Sequence, residues 1–426
     1  MSREQEIITS TQTGSHCLHV RHETGLDIYI MEMPGYHSSF ALFGTKYGSI
    51  NTRFRLKGEE NYTEVPEGIA HYLEHKLFEN EDCDAFVQYA RTGANANAYT
   101  SFDRTAYLFG CSENFAESLQ ILLSFVQEPY FTKETVDKEQ GIIAQEIRMN
   151  NDEPGWRVFF NMLKAMYHNH PVRIDIAGTE ESIKKIDADL LYKCYNTFYN
   201  LHNMVLSVAG NVNAEEVLAL CDKLLRPCED QGLEELYAEE PQTVVRNFVE
   251  DTLPVGVPIF NLGFKLRPQS GMELVRSELI ASALLEVLLG PSSKLYNDLL
   301  NEGLINSEFE ADSPFTGDNY FVLSCGGETT EPEQVRDRIL AALEEAKQNG
   351  FDRESFERIK KVHYGSMVRS DAVVEENASM MLNAYMAGVK PFSSVDTLAS
   401  ITYEDALRFL REELDLSQHV LSVVHG

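Results

Sequence analysis

Apolar and polar residues alternate along this chain with two different periods, and the change of period separates strands from helices. Near the start the period is two: within Gly25–Met31, the side chains of Leu26, Ile28 and Ile30 fall on one side. A Met-Pro-Gly turn follows, and then a second apolar run. This pattern predicts a pair of strands before the first helix.

Further along the chain, helical and strand-like periods recur in two successive sets. The predicted helices are Asn114–Phe125, Lys133–Met149, Phe159–Tyr167, Thr179–Phe198, Ala214–Leu225, Glu273–Leu289, Pro332–Gln348, Arg353–Arg369 and Glu404–Glu412. The predicted strands lie within 90–110, 204–210, 258–264, 306–324 and 419–424. Strands grouped with helices in two copies predict the α+β class, with two similar domains that each pack helices on a mainly antiparallel sheet.

An acidic stretch without strong periodicity, Glu229–Glu240, separates the two sets and predicts a linker. We therefore assign residues 1–228 to a first domain, 229–250 to an acidic linker and 251–426 to a second domain. The length of 426 residues is compatible with this division.

The net charge of −31 makes nucleic acid or an anionic membrane surface an improbable partner. A basic or unfolded peptide partner is compatible with this charge, although solubility alone also explains it. The N-terminal stretch is polar and no apolar run is long enough to span a membrane, and the seven cysteines are scattered without a C-x-x-C pair. We expect a cytoplasmic protein with reduced thiols.

The predicted helix Gly68–Phe78 presents two histidines on one face. Because His71 and His75 are four residues apart, their side chains lie one turn apart, and Glu74 lands beside them. Two imidazoles and a carboxylate suit a zinc ion and the base that works next to it, and the order H-x-x-E-H is the inverzincin signature. The competing interpretation is a surface helix with a polar face.

The helix Lys133–Met149 places Glu139 and Glu146 seven residues apart, which is two turns, so both carboxylates share one face. Such acids are often only solvated. Downstream of H-x-x-E-H they are better explained as the missing anionic ligand and a supporting residue. His168 and His170 have the residue type of ligands, but the X-Pro turn there favours an extended loop instead.

Residues 93–109 contain small side chains in a predicted strand pair, beginning Gly-Ala-Asn-Ala-Asn-Ala-Tyr-Thr. Small residues would let another backbone approach closely. A tight edge hairpin with no binding role explains the pattern equally well.

The H-x-x-E-H helix, the 93–109 segment, the Glu139 and Glu146 pair and the stretches 178–183 and 198–210 together resemble the pitrilysin, insulinase and mitochondrial-processing-peptidase family of zinc endopeptidases. The resemblance is strong in the first half, weak in the second, and closest to the cytoplasmic bacterial members. It implies two like-folded domains per chain, a half clamshell that closes with a second half around a chamber.

The resemblance also implies the roles of individual residues. Zinc, one ion per chain, would be held by His71, His75 and Glu146, with Glu74 as the base and Glu139 as a residue that orients a ligand or the site. The residues of an edge strand that receives the substrate peptide would be Asn97, Ala98, Tyr99 and Thr100. Pairing through the substrate backbone implies broad sequence selectivity.

Two stretches of the sequence depart from the family pattern. Members carry an arginine, and a tyrosine seven residues later, in the second domain; here the matching residues are Leu299 and Asn306. In the first half, Ile50 and Asn51 stand where the family has an acid. We therefore expect a heterodimer in which a paralogous chain supplies the missing pair, or else a homodimer.

The sequence thus predicts a zinc-dependent endopeptidase that hydrolyses peptides or short unfolded polypeptides. The alternative is a non-catalytic scaffold subunit of the same fold. Because degenerate members lose their metal ligands first, the intact set in this chain favours the peptidase.

Overall fold

The computed structural model describes residues 4–81, 83–317 and 319–426. Within these residues the strands are β1 (Glu4–Thr9), β2 (His16–Arg21), β3 (Asp27–Glu32), β4 (Ser39–Thr45), β5 (Arg53–Arg55), β6 (Thr63–Glu64), β7 (Asn95–Thr100), β8 (Thr105–Cys111), β9 (Met204–Gly210), β10 (Glu234–Glu235), β11 (Phe248–Thr252), β12 (Ile259–Lys265), β13 (Glu310–Ala311), β14 (Phe315–Gly317), β15 (Tyr320–Glu328) and β16 (His419–His425).

The helices of the same described residues are α1 (Ile69–Leu77), α2 (Ala85–Thr92), α3 (Phe115–Phe125), α4 (Lys133–Asp152), α5 (Pro154–Met166), α6 (Glu180–Ile183), α7 (Ala188–Phe198), α8 (Ala214–Leu224), α9 (Gly271–Leu289), α10 (Lys294–Asn301), α11 (Pro332–Asn349), α12 (Arg353–Ser370), α13 (Val374–Met386), α14 (Ser393–Ser400) and α15 (Tyr403–Glu412). None of them is long and apolar enough to cross a membrane.

The first compact unit comprises Met1–Ile147, Asp175–Leu236 and Val368–Ser393. Its main sheet has the order β1-β2-β3-β9-β4-β8-β7, and β10, β5 and β6 form a small second sheet. In the main sheet β3 and β9 are parallel, while the neighbouring pairs are antiparallel. The strand β7 is therefore an edge strand, paired with β8 on one side only.

The second compact unit comprises Arg148–Ile174, Tyr237–Met367 and Ser394–Gly426. Its sheet has the order β11-β16-β12-β15-β13, with β14 also paired to β15. Here too the first two strands are parallel and the following pairs antiparallel, as in β3-β9-β4-β8-β7 of the first unit. This repeat, without repetition of sequence, confirms the predicted α+β class with two similar halves.

In each unit, the large sheet is covered on one face by a helix from the other half of the sequence. In the first unit, α13 packs on β4 and β9, and a Cβ at Gly44 would lie 2.6 Å from Leu382 Cδ1. In the second unit, α5 packs on β12 and β16, and a Cβ at Gly263 would lie 2.4 Å from Met162 Sδ. A glycine at each contact lets the helix approach the sheet closely.

The central strands of the first unit are consequently buried on both faces. Every residue of β4 is buried, and in β3 only Glu32 is exposed. The period of two in the sequence correctly identifies β3 as a strand. It suggests that only one face of the strand is buried, but Tyr29 and Met31, on the other face, are buried as well.

The structure differs from the sequence prediction in domain continuity and in several helices. The compact units are built from interleaved segments, whereas the predicted domains are continuous; the change from one unit to the other after Leu236 does fall inside the predicted linker. The predicted helix Thr179–Phe198 is two helices, because Asp187 caps the start of α7. The helices α2, α10, α13 and α14 were not predicted.

Candidate metal centre

The helix α1 begins at a position that only glycine can occupy. Gly68 has φ 86°, and a Cβ there would lie 2.3 Å from the Ala177 carbonyl oxygen. The apolar stripe of Ile69, Leu73 and Leu77 is buried in the core of the first unit. Burial of this stripe fixes the rotation of the helix, so the histidine face is directed away from the core.

The three motif residues of α1 converge. One ligand atom from each of His71, Glu74 and His75 lies within 4.8 Å of the others, and this is the one such group found among the described residues. His71 is buried and the other two are half-buried. The two imidazole rings have centroids 4.5 Å apart and are inclined by 58°.

Glu146 lies on the neighbouring helix α4, two turns after Glu139, and faces both histidines. Its Oε1 lies 3.4 Å from His71 Nε2 and its Oε2 lies 3.6 Å from His75 Nε2. Ligand atoms bound tetrahedrally to zinc at the usual bond lengths are about 3.3 Å apart. Both separations are longer than good hydrogen bonds and close to this ligand spacing, and each involves a different oxygen of Glu146. By residue type and position, His71, His75 and Glu146 can hold a zinc ion.

Glu139 contacts the other nitrogen of a histidine. Its Oε1 lies 3.0 Å from His75 Nδ1, which directs Nε2 of the same ring toward Glu146. The hydrogen bond with His75 lowers the pKa of the Glu139 carboxyl, and the polar contact with His71 lowers the pKa of the Glu146 carboxyl. Both acids therefore stay ionised, as a ligand and its supporting group must.

Glu74 has a different electrostatic environment from these two acids. Burial raises the pKa of the Glu74 carboxyl, against the opposing effect of His71 and His75. Its Oε2 accepts a hydrogen bond from Thr100 Oγ1 at 3.1 Å. A carboxylate whose pKa is raised is better suited to accept and return a proton than one whose pKa is lowered.

The edge strand β7 lies beside this group. Asn97 and Ala98 line, together with Glu74 and His75, a cavity of about 580 Å³. The Ala98 N–H donates to the Asn97 side-chain oxygen at 2.9 Å and not to β8, so it faces outward from the open edge of the sheet. Tyr99 is exposed on the outer face of the strand.

Part of the lining of this cavity was not predicted from the sequence. Phe78, Glu79, Glu81, Cys83, Asp84 and Phe86 contribute to it. Phe86 is 48% exposed and its ring stacks on that of Phe78, with centroids 4.4 Å apart. These residues follow the motif directly, but their contribution depends on helix α2, which the sequence period did not indicate.

The positions that depart from the family pattern have packing and hydrogen-bonding roles. In the second unit, Leu299 is fully buried, and Asn306 donates to Glu328 at 2.8 Å. In the first unit, Asn51 accepts from the Gly48 N–H at 2.6 Å and donates to Glu235. The carboxylate of Glu235, on β10, therefore lies next to Asn51, although the loop after Ser49 itself carries no acid at this point.

His168 and His170 take part in a backbone turn of the second unit. Their N–H groups each donate to Glu240 at 2.9 Å. The buried His170 ring accepts from the Val172 N–H and stacks on Tyr237. Neither histidine belongs to a group of potential metal ligands among the residues described, which agrees with the expectation of a structural loop.

Two sequence profiles match the chain. Residues 58–180 match the profile of the insulinase family, peptidase family M16, and residues 185–362 match that of the peptidase M16 inactive domain. The first match contains all the residues of the candidate centre, from His71 to Glu146. The second contains Leu299 and Asn306.

Individual proteins are similar over nearly the whole chain. The uncharacterized zinc protease YmfH of Bacillus subtilis strain 168 is 40% identical over 402 residues, which cover 93% of each protein. The crystal structure of a protein described as an M16-like peptidase from Alicyclobacillus acidocaldarius has a TM-score of 0.91 and 35% identity, covering 100% of this chain and 98% of that one. Pitrilysin, at 16% identity and a TM-score of 0.78, shares the fold over 99% of this chain and 46% of its own.

Proposed function

The chain belongs to the insulinase family of peptidases, family M16, and from this premise we propose that it is a zinc-dependent endopeptidase acting on peptides or short unfolded polypeptides. The observation that supports this most directly is the pair of histidine Nε2 atoms that face the two oxygens of Glu146 at 3.4 and 3.6 Å. His71, His75 and Glu146 would be the protein ligands of one zinc ion per chain. When bound, zinc supplies Lewis-acid chemistry: it lowers the pKa of water and polarises a carbonyl.

The proton transfers of the proposed reaction are assigned to Glu74. Its carboxylate takes a proton from the attacking water and later delivers that proton to the amine nitrogen as the carbon–nitrogen bond breaks. The raised pKa of Glu74 supports this exchange. Glu139 holds His75 through Nδ1 and so orients the imidazole.

The substrate would bind as an added strand along the open edge of β7. Main-chain groups would provide most of the affinity, and the Ala98 N–H, which donates to the Asn97 side-chain oxygen in the free chain, would donate to the substrate instead. Asn97, Ala98, Tyr99 and Thr100 would form the binding edge. Because backbone groups are common to all peptides, the cleavage preference should be broad.

A non-catalytic scaffold is the second candidate, and the match of residues 185–362 to the inactive-domain profile favours it for that half of the chain. The first half retains every proposed metal ligand together with Glu74. A scaffold has no need of zinc, so metal content separates the two functions.

We expect the purified chain to contain about one zinc ion, and peptidase activity to disappear on chelation and return with zinc. Metal analysis by mass spectrometry and cleavage of a quenched fluorescent peptide, before and after treatment with a chelator, measure both. A metal-free chain that cannot take up zinc would support the scaffold. Zinc uptake without any peptidase activity, alone or with a partner chain, would also contradict the proposal.

Proline at Ala98 is expected to lower kcat/KM by about tenfold or more without loss of zinc, because it removes one substrate-facing donor and leaves the pairing to β8 in place. Glu4→Pro, at the first residue of β1 on the opposite edge of the sheet, is the matched control for proline in an edge strand. Zinc content and thermal unfolding are measured for both variants. Parental peptide kinetics in folded, zinc-loaded Ala98→Pro would rule out β7 as the docking strand.

The working enzyme is proposed to be a heterodimer whose other chain is a paralogue, with a homodimer as the alternative. Leu299 and Asn306 stand where the family has an arginine and a tyrosine, so the partner would contribute that pair to a chamber between the chains. A cytoplasmic location is also proposed, and all seven cysteines being free thiols supports it.

A further inference from the structure

The hydroxyl of Thr100 lies between the proposed base and the body of the sheet. Thr100 Oγ1 is 3.1 Å from Glu74 Oε2 and 3.3 Å from Thr105 Oγ1. Thr105, which is fully buried, donates its own hydroxyl proton to the Tyr47 carbonyl oxygen at 2.8 Å. Thr100 has a single hydroxyl proton and donates it to Glu74 Oε2, so its oxygen and that of Thr105 are in contact with no proton between them.

The backbone determines this position. Thr100 and Thr105 are directly opposite each other in the β7–β8 pair, and the Ser101 N–H donates to the Arg104 carbonyl oxygen immediately beyond them. Cross-strand neighbours next to a tight turn have close side chains with little freedom. The two hydroxyls are therefore held side by side and donate in opposite directions, Thr105 to the Tyr47 carbonyl oxygen and Thr100 to Glu74.

The direction of the side chain argues against a direct contact with the substrate. Along β7, Asn95, Asn97 and Tyr99 are exposed, whereas Ala96, Ala98 and Thr100 are half-buried and face α1. A peptide added to the open edge would lie in the plane of the sheet and pair with main-chain groups. The Thr100 hydroxyl points out of that plane, toward the helix with the motif.

We propose that Thr100 is a positioning residue for Glu74, which holds one carboxylate oxygen against the sheet and so leaves the other oxygen in place for proton transfer. The inference rests on the proposed role of Glu74 and revises the part assigned to Thr100 in substrate binding. A glutamate side chain has three rotatable bonds, and a single anchored hydrogen bond removes much of that freedom at one end.

The test compares Thr100→Val, which keeps the β-branched shape and removes the hydroxyl, with Thr100→Ser, which keeps the hydroxyl. In the zinc-loaded full chain with its partner, Thr100→Val should lower kcat about tenfold or more while KM changes by less than about twofold. Thr100→Ser should recover kcat to within about threefold of the parent. Thr197→Val is the matched control, because that buried hydroxyl donates to the Lys193 carbonyl within its own helix.

A second measurement does not depend on activity. In crystal structures, Glu74 Oε2 should stay next to the hydroxyl in Thr100→Ser and leave this position in Thr100→Val. A raised KM with parental kcat in the valine variant would make Thr100 a substrate contact instead, and an undisplaced Glu74 would also overturn the proposal. If the parent itself shows no zinc-dependent peptidase activity, the proposed function fails, while the crystallographic comparison still tests the positioning.

Discussion

Replacing Glu74 by glutamine is expected to reduce turnover by about a hundredfold to ten-thousandfold while zinc stays bound. This range is what a positioned general base usually contributes, and the amide cannot accept the proton. Glutamine has nearly the same shape and can still accept the hydrogen bond from Thr100, so the local packing should persist. Peptide cleavage and zinc content are measured on the same preparation.

The matched variant is Glu146→Gln, the same chemical change on the neighbouring helix. Because Glu146 faces both histidines with its two oxygens, its loss of charge should release most of the zinc, and activity should fall with it. The pair of variants decides between two assignments, since an oxygen of Glu74 also lies within 4.8 Å of the histidine ligand atoms. If Glu74→Gln loses zinc and Glu146→Gln keeps it, Glu74 is the metal ligand and Glu146 is the base.

The part of the centre that lies within single helices could be predicted from the sequence. The positions of His71, Glu74 and His75 follow from the buried stripe of α1 and a helical period, and Glu139 and Glu146 share a face of α4 for the same reason. That these two helices face each other does not follow from either period. In the structure, the hydroxyl of Tyr72 donates to the Val136 carbonyl oxygen and joins them.

Features that depend on long-range packing could not be predicted in this way. The sequences of α5 and α13 do not show which sheet each helix covers, and each packs on a sheet formed mainly by the other half of the sequence. Only Gly44 and Gly263 mark these contacts. The hydrogen bond from Thr100 to Glu74 joins residues 26 positions apart, on a strand and a helix. Alternation placed Thr100 on a face of β7, but which face meets α1 is a property of the tertiary fold.

In the second unit, Leu299 and Asn306, which match the family's arginine and tyrosine, have structural roles. Leu299 is fully buried on α10, so a guanidinium at this position would have to be buried or would displace the helix. Asn306 is engaged with Glu328 and with the Glu308 N–H. If this chain is a peptidase, as we propose, a paralogous chain is the simplest source of transition-state stabilisation by such a pair.

The isolated chain is accordingly expected to cleave peptides poorly, and addition of a paralogue that lacks H-x-x-E-H but carries the arginine and tyrosine should raise the rate about a hundredfold or more. Titration of one chain against the other, with sedimentation to count subunits, should show the highest activity at equal amounts. Two controls separate the contributions: the mixture should stay inactive with Glu74→Gln in this chain, and also with the arginine of the paralogue replaced. Full activity of the isolated chain, unchanged on mixing, would instead establish a homodimer or monomer in which other residues replace the missing pair.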